Sequence, residues 1–130
     1  MYLSDLDTPA LFVDLNIMMN NIREMHKHLE KYGIKCRPHF KTHKIPALAH
    51  IQIQEGAKGI SCQKIGEAEV LVNAGIKDIL ICYNIVGEYK LNRLMRLAKQ
   101  AKITVVADSK VVVNGLSKTA SKEKCHLDVL

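Results

Sequence analysis

Tryptophan is absent from this chain and the other large aromatics are scarce, with four tyrosines and two phenylalanines in 130 residues. A net charge of +6 would suit a nucleic-acid partner. So few rings, however, leave little on which to stack bases, and the lysines are spread along the chain rather than gathered in one stripe. Most of that charge is read as solvated helix faces. The four cysteines, Cys36, Cys62, Cys82 and Cys125, form no C-x-x-C pair, which argues against disulfides and a zinc site. Three of them lie in apolar runs, where cysteine behaves as a small hydrophobe. No run approaches the roughly 18 apolar residues needed to cross a bilayer. The N-terminus, MYLSDLDTPA, carries two acids where a secretory signal carries bases. The expectation is a cytoplasmic protein with no membrane and no nucleic-acid partner.

What is present is an ordinary globular composition, 48% hydrophobic and 25% charged, in a length that makes one domain. Short apolar runs alternate with amphipathic stretches. ALFVDL (10–15) has strand composition and is followed by a helical spacing of apolar residues, Ile17, Met18, Ile22, Met25 and Leu29, over 16–32, closed by Gly33. The unit repeats: strand 34–40 and helix 45–55, strand 59–63 and helix 64–75, strand 78–84 and helix 88–101, strand 102–108 and helix 109–122. Ser109 is the expected N-cap of the last helix, and CHLDVL (125–130) opens a sixth strand. Strands that are nearly continuous Ile, Leu and Val, each followed by one helix, specify an α/β protein with a parallel sheet. Five β/α units and a bare strand suit an open doubly wound sheet or a shortened (β/α)8 barrel. The pattern does not choose between them.

RPHFKTHK (37–44) gathers Arg37, His39, Lys41, His43 and Lys44 within eight residues, a repulsive arrangement that calls for a compensating function. Strand alternation puts Arg37, His39 and Lys41 on one face and Cys36 and Phe40 on the other, toward the helices. In a barrel the cations then face the interior, at the C-terminal end of the strand, where βα enzymes place their chemistry. Neighbouring positive charge and desolvation both favour a neutral amine at Lys41, which could attack an aldehyde. A basic cluster binding phosphate or solvent is the plainer alternative. Gln63, Tyr83 and Asp108 fall at the ends of later strands and face the same mouth; each also serves as a polar strand terminus. Glu67 and Glu69 suit the positive end of a helix dipole rather than a paired-carboxylate site.

RPHFKTHK resembles the cofactor-lysine motif of the D-threonine aldolase and D-serine dehydratase family, pyridoxal-phosphate enzymes with an alanine-racemase-type barrel. LDTPALFVDL, GISCQKIGEAEVLVNAGIKDILICYNIVG and ITVVADS are similar to further segments of that family in the same order. The resemblance implies an incomplete (β/α)8 TIM-type barrel, about five β/α units plus a sixth strand. Residues 1–130 would be the N-terminal part of a pyridoxal-phosphate-binding barrel, with the rest of the barrel and a C-terminal β domain not included.

It also implies pyridoxal 5′-phosphate held on Lys41 as a Schiff base, with His39, Arg37, Gln63 and Tyr83 as cofactor-binding candidates. The substrate would be a small 3-hydroxy-D-amino acid, cleaved to glycine and an aldehyde or dehydrated to an oxo acid and ammonia. A divalent metal is expected in full-length members, with ligands beyond this sequence. A homodimer is compatible with the family. The alternative is a non-catalytic truncated barrel that binds cofactor weakly or serves only as an assembly partner.

Overall fold

The computed structural model describes residues 2–130. Four strands, β1 (Ile60–Cys62), β2 (Asp78–Ile81), β3 (Lys102–Val105) and β4 (Asp128–Val129), form one parallel sheet in the order β1-β2-β3-β4. Ile60 pairs with Ile79, Ile79 with Ile103 and Thr104 with Asp128. Helices α1 (Leu15–Glu30) and α2 (Pro46–Gln54) precede the sheet, and α3 (Ile65–Asn73), α4 (Glu88–Ala98) and α5 (Lys110–Glu123) connect its strands.

Because each strand lies beside its neighbour in sequence, the order never reverses. Right-handed crossovers then carry α3, α4 and α5 over the same face of the sheet. A doubly wound sheet requires a reversal to place helices on both faces. The chain is therefore α/β with the single winding of a partial (β/α)8 barrel.

The covered face holds the core. Ile79, Ile81, Ile103 and Val105 are buried beneath Leu71 of α3, Leu94 and Met95 of α4 and Leu116 of α5. Alternate positions, Asp78, Leu80, Lys102 and Thr104, lie on the opposite face and are half-buried or exposed. Ser109 accepts a hydrogen bond from Val112 N at 3.4 Å and starts α5 as expected. Asp14, expected within a strand, instead caps α1 through Ile17 N at 3.0 Å.

Two expected strands do not form. Residues 10–15 lie outside any ladder, with Leu11 fully exposed and Phe12 mostly so. A strand exists through hydrogen bonds to a neighbour, and among the described residues none is given to residues 10–13 by another segment. With no sheet surface there to cover, α1 fully buries none of its apolar stripe, and Met18, Ile22 and Leu29 are only half-buried; a bidentate pair of Arg23 with Glu55, at 2.7 and 3.0 Å, links it to the end of α2.

The second, 34–40, runs extended beside β1 but makes only one bridge, His39 with Ser61. Cys36 O and Pro38 O accept from Lys58 N and Ser61 N at 3.0 and 2.8 Å. Pro38 has no N–H to return to a ladder, and the chain turns away at Phe40 into a short 3-10 turn, Phe40–Thr42.

Candidate active site

The extended segment and β1 run parallel and finish at the same edge of the sheet. Phe40 is 1% exposed, and its ring meets that of His43 edge-on at 5.4 Å between centroids. With Phe40 buried, Lys41 must point outward, and it is exposed. Thr42 Oγ1 donates to His39 O at 3.1 Å, and Lys44 N donates to Phe40 O at 2.8 Å, closing the turn. Lys44 leaves it in the left-handed region, at a φ of 54°, a conformation costing a non-glycine residue about 1–3 kcal/mol.

Across from this turn, Gln63 follows the last residue of β1. Its Oε1 lies 3.5 Å from Lys41 Nζ. His39 Nδ1 accepts from Lys41 N at 3.2 Å, so the neutral ring carries its proton on Nε2. That Nε2 is buried and has no hydrogen-bond partner, an arrangement native proteins rarely leave unexplained. Burial lowers the pKa of His39 and the Lys41 charge lowers it further, while the Glu67 carboxylate and the Gln63 amide oppose the shift. Lys41, His39 and Gln63 thus form one cluster at the C-terminal edge of the sheet. The expected desolvation of the lysine is not met, because its side chain stands at an open surface.

Arg37 is not part of this cluster. Its Nη2 lies 2.8 Å from Asp78 Oδ1 and its Nη1 donates to Asp78 O at 3.3 Å. Asp78 is the first residue of β2, so Arg37 serves the opposite edge of the sheet from Lys41. The five residues from Arg37 to Lys41 reach both edges, which alternation along a strand does not reveal. Tyr83, beyond β2, is 62% exposed, and Asp108, beyond β3, is exposed. Both lie on loops at the Lys41 edge, and among the described residues neither side chain makes a hydrogen bond or ion pair.

Glu67 does more than the helix dipole alone asks of it. It is 6% exposed, accepts from Gln63 N at 2.8 Å and lies 3.6 Å from Lys44 Nζ. The available signal was its place three residues into a helix that follows a strand, from which a Glu reaches back to an N-terminal N–H as in a capping box. Glu69 points elsewhere and pairs with Arg93 of α4, with Nε to Oε1 at 2.8 Å. All four cysteines are free. Burial pushes the Cys62 thiol up to about 12, which removes it as a nucleophile. Among the described residues no three His, Cys, Asp or Glu side chains are grouped to hold a metal, and no helix is long and apolar enough to cross a membrane.

The family model described as alanine racemase, N-terminal domain, matches residues 13–130. The chain is 40% identical over 128 residues to a D-threonine aldolase of Arthrobacter sp, covering 98% of this chain and 34% of that protein. It is 35% identical over 128 residues to a 3-hydroxy-D-aspartate aldolase of Paracoccus denitrificans, covering 97% and 33%. The crystal structure of D-threonine aldolase from Filomicrobium marinum superposes with a TM-score of 0.95 at 41% identity, over 98% of this chain and 35% of that one. The chain therefore spans about a third of the length of these relatives.

Proposed function

Because the chain belongs to the alanine racemase N-terminal domain family, we propose that residues 1–130 are the cofactor-anchoring part of a pyridoxal-phosphate-dependent lyase for 3-hydroxy-D-amino acids. The observation that carries this is the cluster itself: an outward-facing Lys41 amine, 3.5 Å from Gln63 Oε1, beside the buried, unpartnered Nε2 of His39. These residues fit an aldehyde-bearing aromatic cofactor. One offers a nucleophile, and the other an unused donor for a polar ring substituent.

When bound, pyridoxal phosphate supplies the aldehyde that Lys41 Nζ attacks and a conjugated ring that takes up electrons from the bond broken at the substrate Cα. The protein's share is positional. Gln63 Oε1 accepts from Lys41 Nζ and restrains the amine. The Lys41 N–H on Nδ1 keeps the neutral His39 proton on Nε2, a buried donor beside Gln63. His39 is favoured as neutral, which avoids adding a second positive charge beside the amine. Relatives of this chain are named aldolases, and a D-threo-3-hydroxyaspartate dehydratase of Delftia sp. is 33% identical over 86% of it, which supports a lyase that either cleaves between Cα and Cβ or removes the β-hydroxyl. A divalent metal finds no ligand set among the described residues.

Incubation of the purified chain with pyridoxal phosphate, borohydride reduction and peptide mass spectrometry tests the assignment. The pyridoxyl group is expected on Lys41 far more than on any other lysine. Label scattered over the surface lysines, or absent, would overturn it and favour a non-catalytic assembly partner.

A further inference from the structure

Glu67 is a buried carboxylate that the proposed chemistry does not use. Burying a charge is costly unless it is well partnered, and capping α3 does not require it, since a capping carboxylate can make the same bond at the surface. The two partners it has are informative. Gln63, whose backbone N–H it accepts at 2.8 Å, is the residue whose side chain meets Lys41 Nζ. Lys44, 3.6 Å away, is on a different segment, at the exit of the turn that carries Lys41. Lys44 is also the residue held at a φ of 54°, and a strained position persists only where its surroundings enforce it.

We propose that Glu67 is a positioning residue that ties the Lys41 turn to the end of β1, setting the lysine amine opposite Gln63 and beside His39. From within α3 it reaches both sides of the cluster, one through a backbone hydrogen bond and one through an ion pair. Its charge also faces His39, whose ring is acted on as well by the Lys41 charge on the turn and the Gln63 amide after β1. Glu67 does not touch the reacting atoms. Its effect passes through Gln63 and Lys44, and it presupposes Lys41 as the anchoring lysine.

Two variants test this, each read in two ways. Glu67→Gln keeps an acceptor for Gln63 N–H and removes the charge; Lys44→Met, at a largely exposed side chain, removes only the ion pair. The share of reduced pyridoxyl label on Lys41 is expected to fall severalfold in Glu67→Gln and by less in Lys44→Met. In the cofactor-free chain, followed by NMR of the His39 ring, the titration midpoint is expected to move down in Glu67→Gln, a change that loss of packing alone would not direct. A folded Glu67→Gln chain with wild-type label selectivity and an unmoved His39 midpoint would overturn the proposal while leaving Lys41 in place. Scattered label in the wild-type chain would instead remove the Lys41 assignment, and this proposal with it. Should Glu67→Gln not fold, unchanged selectivity in Lys44→Met overturns the tether.

Discussion

At His39, influences of opposite sign meet on one ring. Burial and the neighbouring Lys41 charge favour the neutral form, Glu67 and Gln63 favour the charged one, and the first pair prevails. The NMR titration midpoint of His39 should therefore lie below the usual value of about 6.5. A midpoint at or above that value would contradict the geometry of the cluster. Stability follows with a definite sign. An unfolded chain binds the proton more readily than the folded one, so this residue's contribution is full above about pH 6.5 and is lost as the pH falls through the folded midpoint. Cys62 shows the same physics on a group with no role: its thiol is pushed up to about 12 and stays inert.

The junction of β1 with β2 depends at the scale of elements on a missing side chain. A Cβ built on Gly59 would lie 2.3 Å from Arg37 Nη1 and 2.6 Å from the backbone oxygen of Asp78. The Arg37 side chain could shift, but the β2 backbone could not without loosening the parallel pairing of Ile60 with Ile79. Gly59→Ala should lower stability by about 1–3 kcal/mol, the usual cost of overpacking, as an earlier midpoint in urea denaturation. An unchanged midpoint would show that the sheet has slack at this edge. The loss should not alter which lysine is labelled in molecules that remain folded, because Gly59 and Arg37 lie at the edge away from Lys41.

For the whole molecule, the exposed apolar surface is the governing feature. Leu11, Phe12 and Val13 before α1, and Val129 and Leu130 at β4, are exposed, and the face of the sheet opposite α3, α4 and α5 carries no helix. Apolar patches and an open strand edge promote association. Sedimentation velocity on the isolated chain should therefore show an average mass that rises with concentration, and Leu11→Ser with Phe12→Ser should reduce the rise. A single monomeric species across the concentration range would show that the open face is tolerated in water.

What the sequence determined by itself is what depends on neighbours along the chain. The nearly continuous Ile and Leu of β2, the serine that caps α5 and the order of strands and helices are local, and they were legible as such. The grouping of Lys41 with His39 followed from two-residue alternation, and Gln63 joined them because parallel strands end at a common edge. The tertiary structure decided the rest. Singly wound order separated the barrel from the doubly wound sheet, since both share one pattern of elements and differ only in which strands are adjacent. Residues 10–15 and 34–40 have strand composition, but a ladder needs a hydrogen-bonding neighbour that composition cannot supply. Arg37 left the cluster and Glu67 entered it through contacts with Asp78 and Lys44, residues 41 and 23 positions away in the chain, and only folding brings those within reach.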